Sequence, residues 1–182
     1  MPTPVSTVAA AAGNGKVDGL VPARQRLLNA LVMLESIGVM QVGKTQLALW
    51  ADTSPKSSGY ANNLGALRSA GLINYPGPAM VALTDDGRAV ADTGQIALAT
   101  DEDLHRHVQH LVPPARWRII DPLIQTYPNA VVKADLADLA GVSVRSSGFA
   151  NNLGALKSMG LIDYPQPGMV AAAPTLFLHP VT

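Results

Sequence analysis

The chain contains one segment twice, and this constrains its fold more than any other feature. Residues 56–83 read KSSGYANNLGALRSAGLINYPGPAMVAL, residues 145–172 read RSSGFANNLGALKSMGLIDYPQPGMVAA, and 20 of these 28 aligned positions are identical. Most of the others are mild exchanges, such as Tyr60 for Phe149 and Arg68 for Lys157. The likeness extends upstream, where Pro22-Ala23-Arg24-Gln25-Arg26 echoes Pro114-Ala115-Arg116-Trp117-Arg118. One unit of roughly 65–75 residues is therefore duplicated. A site on one copy should have a twin on the other.

The chain has 182 residues, 48 % of them hydrophobic, ample for two small domains with compact cores. Basic and acidic residues number 13 each, so the formal net charge is zero. No global field draws the chain onto nucleic acid, and any such binding must come from local patches. Cysteine is absent, which removes disulfides, thiol nucleophiles and cysteine-ligated zinc and fits a reducing interior. No apolar run reaches the ~18–20 residues needed to cross a bilayer. Residues 1–19 lack a basic start and a long apolar stretch, and read as a flexible tail rather than a signal peptide. A cytoplasmic location is expected.

Pro22 suits the first position of a helix, Leu27, Leu28, Leu31 and Leu34 follow at helical spacing, and Gly38 ends it. Val39–Val42 is a strand candidate, and Thr45 can cap a second helix, Gln46–Ala51. Ser57 or Ser58 caps a third helix that runs to Ser69, with Gly71 as its left-handed stop. Ile73–Leu83 reads as a hairpin about Pro76-Gly77-Pro78, and Thr84 caps a short fourth helix, Asp85–Ala91. The second copy repeats the order: helix Pro114–Thr126, strand Ala130–Val132, helices Ala134–Ala140 and Ser147–Ser158, hairpin Ile162–Ala172. Thr100–Val112, with Leu104, Val108 and Leu111 in helical register, reads as a connecting helix. No fourth helix follows the second hairpin. The apolar end Ala173–His179 should dock on the body or on a partner. The organisation is thus a tail over 1–19, a first domain over 20–98, a linker helix over 99–112 and a second domain over 113–182.

Helix, short strand, helix, turn, helix and hairpin is the order of a helix-turn-helix followed by a wing, and it resembles the winged-helix superfamily. The resemblance covers about residues 20–92 and 113–172. The shared stretch Ser-Gly-aromatic-Ala-Asn-Asn-Leu-Gly-Ala-Leu also looks like a winged-helix module of bacterial and bacteriophage proteins, sometimes appended to ATPases. The fold class so implied is α+β, mainly α: tandem winged helix-turn-helix domains joined by a helical linker. Superfamily membership implies DNA binding most often and protein contact in a substantial minority. Fold alone does not choose between them.

In a helix-turn-helix the second helix of the motif enters the major groove. Here that is the third helix of each copy. Tyr60, Leu64 and Leu67 share one face, which must be core. The opposite face carries Ser58, Asn62, Gly65, Ala66 and Ser69, matched by Ser147, Asn151, Gly154, Ala155 and Ser158. Asn63 and Asn152 lie on one flank, Arg68 and Lys157 on the other. A mid-helix glycine costs about 1 kcal/mol relative to alanine, and close approach of another body would offset that. Asparagine can pair with adenine N6 and N7, and serine with base edges or phosphates. Lys44 aligns with Lys133 and Lys56 with Arg145, and Arg24 and Arg26 with Arg116 and Arg118, a set suited to phosphate contacts. The DNA-binding residues expected are therefore Ser58, Asn62, Asn63, Arg68, Lys44 and Lys56, with Ser147, Asn151, Asn152, Lys157, Lys133 and Arg145. The rival is that the small residues let this helix pack on another helix, in the other repeat or in a partner chain. Wings without Lys or Arg favour that rival, and Tyr75 and Tyr164 should pack on their own hairpins.

Three further patterns resemble chemistry. Gly38–Thr45 matches the P-loop pattern GxxxxGK[ST]. A P-loop follows a buried strand, whereas a leucine-rich helix is expected here, and the second copy keeps the lysine and loses the glycines. His105, His107 and His110 read as a solvated face of the linker helix. Asp85-Asp86 and Asp101-Glu102-Asp103 read as first-turn helix charges. No catalytic residue, metal or cofactor is expected. The expected partner is double-stranded DNA, for a regulator of transcription or an accessory to a DNA transaction. A protein partner or self-association is the alternative, and neither a nucleotide nor a membrane is anticipated.

Overall fold

The computed structural model describes residues 20–92 and 98–180; the tail expected over 1–19 lies outside them. The first repeat comprises α1 (Pro22–Ser36), β1 (Val42–Gly43), α2 (Lys44–Trp50), α3 (Ser58–Ser69), β2 (Ile73–Asn74), β3 (Met80–Leu83) and α4 (Asp85–Val90). Then come α5 (Asp101–Leu111) and the second repeat: α6 (Pro114–Thr126), β4 (Val131–Val132), α7 (Lys133–Leu139), α8 (Ser147–Ser158), β5 (Ile162–Asp163) and β6 (Met169–Ala172). A 3-10 turn, Pro174–Leu176, follows. The architecture is α+β and mainly helical, with two small antiparallel sheets of three strands ordered β1-β3-β2 and β4-β6-β5. Val42 pairs with Val81 and Ile73 with Leu83, and the same register recurs as Val131 with Val170 and Ile162 with Ala172.

Local chemistry explains most boundaries. The side chain of Ser57 accepts from Tyr60 N–H, and that of Ser146 from Phe149 N–H, so the same cap opens α3 and α8. Gly71 and Gly160 take φ of +73° and +69°, and the following leucine N–H groups return to Leu67 and Leu156 carbonyls at 3.0 Å. Each helix thus ends in a left-handed turn that glycine adopts without a Cβ penalty. The second helices differ from expectation. They begin at Lys44 and Lys133, not at Gln46 and Ala134, and no side chain caps them. Lys44 N–H donates to Ala79 O at 2.9 Å and Lys133 N–H to Gly168 O at 2.8 Å. The hairpin backbone therefore takes over the capping assigned to Thr45. The strands before them are also shorter than expected. Val39 N–H closes the end of α1 on Leu34 O, so Val39–Gln41 are spent on the exit turn.

The buried residues of both repeats and of α5 form one contiguous cluster. Two separate cores were expected from the duplication. Leu104 and Val108 of α5 are fully buried, so this helix is part of the core rather than a bare linker. The C-terminal end packs on the body: Leu176 and Phe177 are buried, and Leu178 N–H donates to Asp101 at 2.7 Å. In the first repeat, α4 is held on α1 instead by Arg88, which donates twice to Glu35 at 2.8 Å. No helix among the described residues is long and apolar enough to cross a membrane.

Candidate nucleic-acid interface

The face of α3 opposite its core residues is open. Tyr60, Leu64 and Leu67 are buried, as are Phe149, Leu153 and Leu156 of α8. Ser58, Asn62, Gly65 and Ser69 are exposed, and so are Ser147, Asn151, Gly154 and Ser158. A Cβ added at Gly65 or Gly154 would meet nothing within 4 Å. Neither helix uses its small residues to pack on the other repeat, which removes the intramolecular form of the packing rival. The first turns of both helices carry no acidic side chain, so the partial positive charge of each N-terminus is uncompensated there.

The flanking amides are engaged within the chain. Asn63 Oδ1 accepts from Arg24 Nε at 3.2 Å, and Asn152 Oδ1 from Arg116 Nε at 3.4 Å. All four are half-buried. Asn63 and Asn152, expected among the DNA-binding residues on the flank of each helix, hold an arginine of the first helix of each repeat beside α3 or α8. Arg24 and Arg116 thereby become rim residues of the same surface. Only the upstream echo between the copies signalled them. Lys56 and Arg145 stand exposed just before the capping serines, without an ion pair among the described residues.

At the other end the repeats diverge. Lys44 Nζ lies 4.5 Å and Arg68 Cζ 4.8 Å from the centroid of the Tyr75 ring. The hairpin aromatic thus collects two cations, a favourable arrangement with the ring quadrupole. In the second repeat Lys157 is paired with Asp163, where the first repeat has Asn74. Lys157, expected as a phosphate contact, is already neutralised. Tyr164 is 46 % exposed. With Lys133 and Pro165–Val170 it lines an open groove of about 420 Å³. Burial raises its phenol pKa and the nearby Lys157 charge opposes that. The Asn74/Asp163 exchange was visible in the aligned copies, but its reach to Lys157 needs the hairpin in three dimensions.

The histidines of α5 do not form a solvated face. His105 Nε2 lies 2.7 Å from Leu176 O, and its ring meets Phe177 edge-on at 5.4 Å. His107 stacks on Trp50 with centroids 5.9 Å apart and planes at 25°. Burial, and then the His110 charge, lower the His107 pKa, with Asp52 opposing. Nε1 of Trp50 and Nε2 of His107 are both buried without a partner. Only His110 is exposed, against Arg106 O. No group of three or more acidic or histidine side chains among the described residues could hold a metal ion. The segment with the P-loop pattern follows helix α1, its Lys44 N–H is donated to Ala79, and its Lys44 side chain lies over Tyr75. No family model, curated protein or solved structure matches the chain.

Proposed function

We propose that this is a non-enzymatic tandem winged-helix protein that binds double-stranded DNA, as a regulator of transcription or an accessory to a DNA transaction. The reading helices are α3 and α8. The observation that carries the proposal is the paired outward face of these helices: small residues, one central asparagine each, and open space in front of Gly65 and Gly154. A helix bearing such a face can approach base edges closely, with Asn62 and Asn151 placed to pair with adenine. Ser58 and Ser147, with the helix N-termini and Lys56 and Arg145, suit phosphates on one side of the groove. Arg24, Arg116, Lys44, Lys133 and Arg68 suit them at the rims.

The second reading is a protein-interaction or structural assembly module, of phage origin, that uses the same helices and wings. The pairing of Lys157 of α8 with Asp163 of the hairpin favours it, because a DNA-reading helix gains nothing from a wing that cancels its cation. A gel-shift titration on random duplex DNA across salt separates the two. Neutralising about 4–6 phosphates gives a slope of log K against log salt near −4 to −5. No binding at low salt, or binding indifferent to salt, supports the protein-interaction reading.

A further inference from the structure

The two wings share a strand register and differ at their tips. Eight of the 28 aligned positions differ between the copies, and three of them, Asn74/Asp163, Gly77/Gln166 and Ala79/Gly168, fall within six residues of the hairpin. In the first repeat the chain covers its own wing tyrosine, with Lys44 Nζ and Arg68 Cζ at 4.5 and 4.8 Å from the Tyr75 ring centroid. In the second, Asp163 holds Lys157, and no cation lies over the Tyr164 ring among the described residues. A stacking surface that the first repeat uses internally is left open in the second.

Tyr164 lines the open groove of about 420 Å³, a volume within the ~300–1,000 Å³ of small-molecule sites. Lys133, Gln166 and the rings of Pro165 and Pro167 line it as well. No carboxylate is among the lining residues, and Lys133 has no ion pair among the described residues. One aromatic ring, one free ammonium and one amide suit a ligand that is planar, carries an anionic group and has donors and acceptors along its edge. An unpaired nucleotide has all three. Bases stack on aromatic rings with little regard to sequence. A lysine holds the phosphate. A glutamine amide both donates and accepts, so it can meet any base edge. A base inside a duplex is covered on both faces by its neighbours, so only an unpaired one can offer its face to Tyr164. Proline-rich peptides dock in grooves lined by aromatic residues. Here a single aromatic stands among the chain's own prolines, and such a peptide has no use for Lys133.

We propose that the second wing binds an unpaired nucleotide of single-stranded DNA, with the base on Tyr164, the phosphate on Lys133 and Gln166 at the base edge. The first wing, its ring already covered, does not. The proposal rests on the wing alone and not on duplex reading by α3 and α8. Joined to that reading, it makes the preferred substrate a duplex with a single-stranded extension.

Fluorescence anisotropy of the full chain with a labelled oligothymidine of about 12 nucleotides tests this, beside a blunt duplex of mixed sequence. The single strand should bind, and Tyr164→Ala should weaken it about tenfold or more, the effect of losing one stacked base. Tyr164→Phe keeps the ring and should bind as the unmodified protein does. Tyr75→Ala, the twin change at the covered ring, should have little effect on the single strand. Lys133→Gln should flatten the salt dependence. The Tyr164 side chain is exposed, so circular dichroism should report an unchanged fold for its variants. Single-strand binding without duplex binding supports the proposal and removes the duplex reading. Duplex binding without single-strand binding overturns the proposal and leaves that reading in place. Unchanged affinity in Tyr164→Ala, an equal loss in Tyr75→Ala, or a polyproline peptide that shifts the Tyr164 ring resonances when oligothymidine does not, would also overturn it.

Discussion

Asn74 and Asp163 occupy the same hairpin position in the two repeats, and one oxygen atom separates their consequences. The amide leaves Arg68 free to share the Tyr75 ring with Lys44, whereas the carboxylate binds Lys157. Under the DNA reading the first repeat is the stronger phosphate holder. Asn74→Asp should therefore lower the magnitude of the salt slope by about one, the loss of a single phosphate contact. Asp163→Asn should raise it by about one. Titrations of both variants at several salt concentrations check this, and unchanged slopes would remove Arg68 and Lys157 from the interface. Stability should barely respond, because the Lys157–Asp163 pair is about half exposed and such pairs contribute little.

At the scale of the element, α3 and α8 carry glycines that their own fold does not need. Gly65→Ala and Gly154→Ala should each stabilise the protein by about 0.5–1 kcal/mol, since the new methyl meets nothing and helix propensity improves. DNA affinity should fall in the same variants, because the methyl stands between helix and base edges. Denaturant melts beside gel shifts measure both; equal affinity with higher stability would leave the glycines without a binding role. These helices were legible in the sequence because every determinant is local. The Tyr60, Leu64 and Leu67 spacing, the Ser57 cap and the Gly71 stop lie within a few turns of one another. The start of α2 was not legible, because its first N–H is satisfied by Ala79, across the hairpin. Nor was the burial of His105 and His107. Two polar side chains on an acidic helix read as solvated until Phe177 and Trp50, more than fifty residues away in either direction, are seen to cover them. The outward faces of Asn62 and Asn151 followed from helical period, but the tie of Asn63 to Arg24 and of Asn152 to Arg116 required the packing of the first helix against the third.

For the whole molecule, α5 joins two repeats into one core, and His107 sits at that joint. Its pKa is lowered, so the folded state prefers the neutral ring. Stability is then full above the ordinary histidine value of about 6.5 and is lost as pH falls below it, because the unfolded chain takes up the proton first. The melting temperature should drop between about pH 7.5 and about pH 5.5. His107→Phe keeps the stack on Trp50 and removes the titration, so its drop should be smaller. Parallel pH profiles for the two proteins would place the acid sensitivity elsewhere. Under the DNA reading, the duplicated helices α3 and α8 make a sharper demand on the molecule as a whole. If α3 and α8 face the same side of a duplex, their half-sites lie about one helical turn apart, roughly 34–36 Å. The most direct measurement is footprinting of the protein on its selected site beside Asn62→Ala and Asn151→Ala. Each variant should keep its fold, lose about 1–3 kcal/mol of affinity for that site and relax base preference in one half only. Intact footprints in both variants, together with an altered oligomeric state, would contradict DNA reading by these helices.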